Sequence, residues 1–330
     1  MDTTRPRAAG IAHLPPRCGA LPFLTPGRLP GVSLLILSVG VGSFGQDYTR
    51  RMRPFRPLPR FAVLLVGAAF LTAGSANAQV LPGSADTARD RLNTSPRHGE
   101  WVSVPAPGGD AVESWIVYPE RSDTAPVVVV IHEIFGLTDW IRAVADEMAA
   151  QGFIAVAPDL LTGKGPDGGR TDSVDNDGAR ALIRALDRDE VHTRLKAVAD
   201  WATALPAARD SYGVVGFCWG GRTSFTFATH DPELGAAVVY YGTSPESEAL
   251  AAVEAPVLGL YGEDDARVNE TIPPAQERME ALGKSFQVEI FDGAGHGFLR
   301  AQDGREGRNL TASSQAWPMT VRFFREHLGS

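Results

Sequence analysis

Cysteine is scarce in this chain of 330 residues, which contains only Cys18 and Cys218. Two cysteines cannot provide the paired spacings of structural zinc sites, and they allow at most one disulfide. The N-terminal pattern described below predicts that Cys18 is removed, which would leave Cys218 without a partner for an internal disulfide. A lone thiol in an oxidising compartment is either buried and inert or kept for chemistry.

Lysine is absent from residues 1–78, which carry nine arginines and two acidic residues. Residues 79–330 carry 22 Lys and Arg against 37 Asp and Glu, so the two parts have formal charges of +7 and −15. An acidic body of this kind repels phosphate backbones. We therefore expect a small-molecule partner and no nucleic acid.

The apolar segment Phe61–Leu71 is too short for a membrane span. It follows an arginine-rich stretch that begins at Met52, and it is followed by the small residues Ala76-Asn77-Ala78. This order predicts a secretory signal peptide over residues 52–78, with cleavage before Gln79 and export to the periplasm or the medium. Residues 1–51 are interpreted as a mis-called or disordered leader, so that Met52 is the expected start, and residues 79–98 as a linker.

Residues 99–330 alternate strand and helix patterns, and several strand patterns are continuous runs of Val, Ile and Ala. The predicted strands are Trp101–Pro105, Ser114–Tyr118, Val127–His132, Phe153–Ala157, Gly213–Phe217, Ala236–Tyr240, Val257–Tyr261 and Gln287–Phe291. The predicted helices are Thr138–Ala150, Asp177–Leu186, Glu190–Ala204, Trp219–Thr229, Pro273–Leu282 and Ser314–His327. This alternation predicts an α/β domain with a mostly parallel sheet covered by helices on both faces.

Cys218 stands at the centre of "GFCWGG", between a buried strand pattern and a helix pattern. Glycines two residues before and after it permit a turn so tight that a Cβ at either place would clash. Such a turn lifts the central side chain to the N-terminus of the helix, where the dipole favours an anion. The pattern predicts a nucleophilic thiolate at Cys218.

A catalytic triad on this kind of turn needs an acid and then a histidine further along the chain. The strand in "PVLGLYGEDDARV" ends in three acids, Glu263, Asp264 and Asp265, and His296 lies in a glycine loop after the next strand. Asp265 is favoured as the acid because the apolar Val268 follows it three residues later and would anchor the loop. Asp264 remains the alternative.

The chain resembles the dienelactone hydrolase family of α/β-hydrolases over about residues 100 to 328. Five segments match that family in order and approximate spacing: "HEIFGL" at 132–137, "GFCWGG" at 216–221, "YGEDDARV" at 261–268, "GAGHGF" at 293–298 and "AWPMTVRFF" at 316–324. The resemblance implies an α/β-hydrolase fold and a triad of Cys218, Asp265 and His296.

The same resemblance implies roles for further residues. Glu133 matches a glutamate that contacts the thiol and helps it to ionise, and the backbone N–H groups of Ile134 and Trp219 match the oxyanion hole. Arg300 matches an arginine that pairs with the substrate carboxylate. A second such arginine is not placed by the motifs, and the candidates are Arg180 and Arg184.

No cofactor and no metal site are predicted. "HEIFG" at residues 132–136 lacks the second histidine of a zinc-protease helix, because its fifth residue is Gly136. "SVDNDG", which begins at Ser173, resembles part of a calcium loop, but Arg184 occupies the place where a bidentate acid is required.

The sequence therefore predicts a hydrolase that cleaves an ester or lactone, of the carboxymethylenebutenolidase type, through a thioester on Cys218. Enol lactones are favoured as substrates because attack by a thiolate does not readily expel an alkoxide that is a poor leaving group. One alternative is a secreted carboxylesterase of broad specificity. An alternative from another class is a non-catalytic binding protein on the same fold.

Overall fold

The computed structural model describes residues 81–109 and 111–329. The predicted leader, signal peptide and cleavage site lie outside these residues. No helix among the described residues combines the length and the apolar character that crossing a bilayer requires.

Eight strands form one sheet in the order β1-β2-β4-β3-β5-β6-β7-β8. Their bounds are β1 Gly99–Pro105, β2 Ala111–Val117, β3 Ala125–Ile131, β4 Ile154–Pro158, β5 Ala208–Phe217, β6 Ala236–Tyr240, β7 Val257–Asp264 and β8 Phe286–Gly295. β2 pairs antiparallel with both β1 and β4, and every other pair of neighbours is parallel. The predicted α/β class with a mostly parallel sheet is confirmed.

The described residues also form eight α-helices. Their bounds are α1 Ala88–Thr94, α2 Asp139–Ala150, α3 Asn176–Ala185, α4 Arg188–Thr203, α5 Trp219–Phe227, α6 Ala266–Asn269, α7 Ile272–Ala281 and α8 Arg308–Leu328. The six helices that the sequence predicts all occur. The sequence does not predict α1 and α6, because α1 is short and mostly polar and α6 is a single turn.

Both faces of the sheet are covered, and this explains why the central strands read as unbroken apolar runs. All seven residues of β3 are buried. Val128 and Val130 pack into the core on the side of α2 and α8. Val127 and Val129 pack into the core on the side of α4, α5 and α7. Alternate side chains of one strand thus serve two different cores.

Helix α1 lies in the segment 79–98 that the sequence analysis assigns to a linker. Ala88 is fully buried against the core that includes α2. Arg97 and Ser95 both bond to the carboxylate of Asp146 in α2. The Ala85 N–H donates to the carbonyl of Arg300 at 2.9 Å, so this segment reaches the loop that follows β8. The packing rests on one small apolar residue and on polar contacts, which leave little periodic signal in the sequence.

Candidate active site

Cys218 lies in a sharp turn between β5 and α5. Its backbone has φ 57° and ψ −113°, a strained conformation for a residue with a Cβ. A Cβ on Gly216 would lie 1.9 Å from the carbonyl oxygen of Gly220, and one on Gly220 would lie 2.4 Å from that of His132. Both glycines are therefore required for the turn. The Cys218 N–H donates to Tyr240 O at 3.0 Å, which ties the turn to the neighbouring strand.

The backbone amides of two further residues have no protein acceptor among the described residues. They belong to Trp219, the first residue of α5, and to Ile134, in the loop after β3. That loop is closed by a hydrogen bond from the Gly136 N–H to Glu133 O at 3.2 Å. Gly136 has φ +74°, and a Cβ there would lie 2.2 Å from Thr171 Oγ1. Free amides at a helix start suit a developing oxyanion.

His296 follows β8, and its Nδ1 lies 2.5 Å from Oδ2 of Asp265. The carboxylate can only accept, so Nδ1 carries the proton in this bond and Nε2 is the nitrogen left to face a reacting group. The loop is held from α8, because the Gly295 N–H donates to Asn309 Oδ1 at 3.0 Å. Val268 is buried three residues after Asp265, in the anchoring position that the sequence suggests.

The three neighbouring acids at the end of β7 have three different partners. Glu263 Oε2 accepts the Gly293 N–H at 2.8 Å, and Asp264 forms an ion pair with Arg305. Asp265 alone of the three reaches His296. The geometry therefore favours Asp265 over the alternative Asp264.

The surroundings of His296 favour its charged form. Burial lowers the pKa of His296, but the hydrogen bond to Asp265 and the adjacent Cys218 outweigh burial and raise it to about 10. Cys218 and Asp265 thus both favour the imidazolium form of His296.

Glu133 is almost completely buried beside Arg300. Its Oε2 lies 3.1 Å from Arg300 Nε, although the N–H does not point at the oxygen well enough to count as a hydrogen bond. Burial raises the pKa of Glu133 to about 7, against the opposing charges of Arg300 and His296. Glu133 is therefore a carboxylate that can take up a proton near neutral pH.

Two arginines lie against one aromatic ring at the mouth of the site. The guanidinium carbon of Arg300 is 4.9 Å from the centre of the Phe135 ring, and that of Arg180 is 4.8 Å from the same ring. Arg184, the other sequence candidate, lines a separate cavity of about 380 Å³ with Trp219 and Arg222. The structure thus brings Arg180, and not Arg184, to the side of Arg300.

A cavity of about 490 Å³ opens beside Phe135 and Arg300. Ala85 and Arg89, from the segment around α1, form part of its wall. Cys218 and His296 are not among its lining residues, so this cavity does not contain the thiol.

Tyr241, directly after β6, is a residue that the sequence analysis misses. It is fully buried, its ring centre lies 5.1 Å from that of His296, and no described group bonds to its hydroxyl. Burial raises its pKa, and the charges of Glu133 and Cys218 raise it further, so the hydroxyl remains a neutral donor close to both groups. The available signal was its place at the carboxyl end of the strand next to β5, where the other site residues also lie.

The strand order, the parallel run β4-β3-β5-β6-β7-β8 and the sharp turn after β5 define an α/β-hydrolase fold. The model of the dienelactone hydrolase family matches residues 112–328, and the chain belongs to that family. Membership of the family supports a hydrolase of the enol-lactone or ester type.

Individual relatives agree with this assignment. A Salmonella typhimurium protein named "Putative carboxymethylenebutenolidase" is 30% identical over 246 residues, which cover 69% of this chain and 87% of that protein. A crystal structure titled "Putative Dienelactone Hydrolase", from Klebsiella pneumoniae, has a TM-score of 0.61 at 27% identity and covers 69% of this chain and 98% of its own. A dienelactone hydrolase-like promiscuous phosphotriesterase from metagenomic libraries has a TM-score of 0.61 at 25% identity, with 71% and 99% covered.

Proposed function

We propose that the protein hydrolyses an ester or lactone through a thioester on Cys218, with His296 and Asp265 as the other members of a triad. The observation that carries the proposal is the 2.5 Å contact between Asp265 and His296, beside a thiol held in a strained turn. The amide of Trp219, which directly follows Cys218, and that of Ile134 have no protein acceptor among the described residues, and this supports an oxyanion hole formed by the two.

The acylation step begins with the Cys218 thiolate. It attacks the substrate carbonyl carbon, and the electron pair of the C=O bond moves to oxygen, where two backbone N–H groups receive it; one such donor contributes about 3 kcal/mol. The tetrahedral intermediate then collapses, and the C–O bond to the leaving group breaks. The His296 imidazolium gives its Nε2 proton to the departing oxygen, and Asp265 holds the ring in the tautomer that permits this.

Deacylation reverses the roles of His296. The neutral ring takes a proton from water, the resulting hydroxide attacks the thioester carbonyl, and the thiolate leaves. A thiolate leaves a tetrahedral intermediate more readily than an ordinary alkoxide does, so acylation by simple alkyl esters tends to revert. Substrates with a stabilised leaving group, such as an enolate, avoid this reversal, which favours enol lactones.

The arginines beside Phe135 favour an anionic substrate. A carboxylate that pairs with Arg300 would compete with Glu133 for the same guanidinium. Glu133 would then lose the charge that opposes its buried environment, and its affinity for a proton would rise. It could accept the thiol proton at the moment when substrate arrives, so that substrate binding and thiol ionisation are coupled. Arg180, which also contacts the Phe135 ring, offers a second guanidinium.

A panel of lactones and esters, each with and without a free carboxylate, tests this function. Wild type is expected to turn over the enol lactones fastest, and Cys218→Ala is expected to lose turnover by about 10⁴-fold or more, because triad members act as a unit. Iodoacetamide should inactivate the wild type, with protection by substrate. Full turnover in Cys218→Ala would refute the covalent mechanism. Faster hydrolysis of neutral acyl esters than of anionic lactones would select a broad carboxylesterase, and no turnover on any substrate would select a binding protein.

We also propose that the protein is exported after cleavage between Ala78 and Gln79. The supporting pattern is the arginine-rich start, the short apolar core and the A-x-A end in residues 52–78. N-terminal sequencing of protein recovered from a secretion-competent host should begin at Gln79. An N-terminus at Met1 or Met52 on protein that remains inside the cell would contradict it.

A further inference from the structure

Two histidines and an aspartate meet at the far end of helix α5 from Cys218. His230 lies three residues beyond the end of α5, and Asp189 and His192 lie in the first turns of α4. One potential ligand atom of each residue lies within 4.8 Å of those of the other two. The two imidazole rings are 4.0 Å apart between their centres. None of these residues takes part in the site around Cys218.

Hydrogen bonds to Thr226 determine which nitrogen of His192 is protonated. The Thr226 hydroxyl donates to Thr223 O at 3.1 Å, so its oxygen accepts from His192 Nε2, 3.3 Å away. His192 Nε2 therefore carries the proton, and Nδ1 has a free lone pair. His192 is only 6% exposed, and its Nδ1 is buried without a partner among the described residues. A buried polar atom left without a bond is uncommon and destabilising.

The backbone determines the tautomer of His230 in the same way. Its Nδ1 lies 2.9 Å from Thr226 O, a carbonyl oxygen that can only accept. Nδ1 therefore carries the proton, and the lone pair of His230 is on Nε2. Both rings thus donate one N–H to the same residue of α5, and the other nitrogen of each ring bonds to no group in the described part of the chain. Histidines that bind metals are oriented in this way, by a bond from the second ring nitrogen.

From these contacts we propose that Asp189, His192 and His230 bind a divalent late first-row transition metal ion such as Zn²⁺. Asp189 and His192 are three residues apart on one helix and so share a face of α4. Two imidazole nitrogens and a carboxylate oxygen are a ligand set that Zn²⁺ accepts, with water in the fourth position. Bonds of about 2.0–2.2 Å bring tetrahedral ligand atoms to about 3.4 Å from each other. Asp189 and His230 are exposed and can rotate to this separation.

The ion would join the start of α4 to the end of α5. It would also satisfy the buried Nδ1 of His192, which bonds to no described group. Beside the cluster, His192 and His230 line a cavity of about 810 Å³, which gives the ion a route from solvent. The set has no recognisable motif spacing, because the third ligand lies 38 residues beyond the Asp-x-x-His pair.

Zinc binding to the full chain tests the proposal, with no histidine tag and with Cys218→Ala as the background. This background removes the thiolate, a competing zinc ligand, and makes the result independent of the proposed function. After treatment with EDTA and desalting, the protein is titrated with Zn²⁺ against a chromogenic chelator. We expect one equivalent to bind, with affinity at least tenfold weaker in His230→Ala and weaker in Asp189→Asn. His98→Ala, which removes an exposed histidine elsewhere, should bind as the background protein does.

Two further measurements complete the test. The melting temperature of the background protein should rise with Zn²⁺, and that of His230→Ala should not. Co²⁺ in place of Zn²⁺ should give the visible absorption of a tetrahedral site, and His230→Ala should lack it. Absence of binding to the background protein, or equal binding by it and His230→Ala, would overturn the proposal.

Discussion

The two ends of helix α5 differ in how their residues come together. At the N-terminal end, Cys218 is held by a tight turn whose parts are adjacent in sequence, with glycines at 216 and 220. At the C-terminal end, His230 meets two residues of α4 that are some forty positions earlier in the chain. The first arrangement uses backbone strain, and the second uses hydrogen bonds to Thr226. A motif search detects the first because it is local, and it overlooks the second because it is not.

If the two ends are independent, a change in the acid of the triad should abolish activity and leave zinc binding intact. Asp265→Asn is expected to lower kcat by about 10⁴-fold, since the amide would hold His296 in the wrong tautomer. Asp264→Asn, the matched control, should have little effect because Asp264 pairs with Arg305 and not with His296. Steady-state kinetics on one enol lactone compare the two variants. The reverse ranking would move the acid to Asp264.

The arginine beside Glu133 should distinguish substrates by charge. Arg300→Ala is expected to lower kcat/KM for an anionic lactone by about 30- to 1000-fold, the equivalent of about 2–4 kcal/mol for a desolvated ion pair. The methyl ester of the same lactone should be affected little. Arg184→Ala is the control, because Arg184 lines a different cavity. Equal losses on both substrates, or none, would show that Arg300 does not recognise the carboxylate.

The buried Glu133, near the N-terminal end of α5, should make the free energy of unfolding depend on pH. Its pKa is about 7 in the folded protein and close to 4.5 when unfolded, so the folded state binds more protons between these values. Stability is therefore lost as the pH rises through this window, by about 3 kcal/mol in total. Glu133→Gln has no such proton to lose, so its unfolding free energy should exceed that of wild type at pH 8 more than at pH 4.5.

Denaturant unfolding at the two pH values measures this difference. The control is Glu263→Gln, since Glu263 is exposed and its carboxylate accepts a backbone N–H. A constant difference between Glu133→Gln and wild type at both pH values would contradict the raised pKa.

The smallest effect is expected when a glycine of the turn around Cys218 is replaced. Gly220→Ala would place a Cβ 2.4 Å from the carbonyl oxygens of Ile131 and His132, so the strand and the helix would have to move apart. We expect a loss of about 1–3 kcal/mol in unfolding free energy, the usual range for overpacking, together with reduced activity. Arg222→Ala, on the exposed side of the same helix, should stay within about 0.5 kcal/mol of wild type. An equal effect of both changes would show that the close approach is not needed.

The sequence predicts most of the fold because the signals are local and periodic. β3 and β6 read as apolar runs since both of their faces are buried, and both strands occur where predicted. Helix α1 escapes detection because only Ala88 of its seven residues is buried. Residues 52–78, where the export signal is predicted, lie outside the described residues, and export stays a prediction.

Site residues that form a motif of neighbouring positions can be predicted from the sequence, whereas contacts between distant segments cannot. Cys218 follows from one short motif, and its strained backbone agrees with that motif. The sequence favours Asp265 over Asp264 through Val268, and only the structure shows that Asp265 is the acid that contacts His296. The contact of Arg180 with Phe135 joins α3 to the loop after β3, and spacing alone does not indicate it.

The central claim is that Cys218 forms a covalent acyl intermediate, and mass spectrometry of the enzyme during turnover tests it most directly. The full chain is mixed with an activated ester, quenched in acid within one turnover and digested. We predict that the peptide containing Cys218 carries the mass of the acyl group, and that His296→Ala, given longer to react, accumulates the same adduct because deacylation needs the histidine. Turnover of the ester with no acyl mass on that peptide, in the wild type or in His296→Ala, would contradict the account.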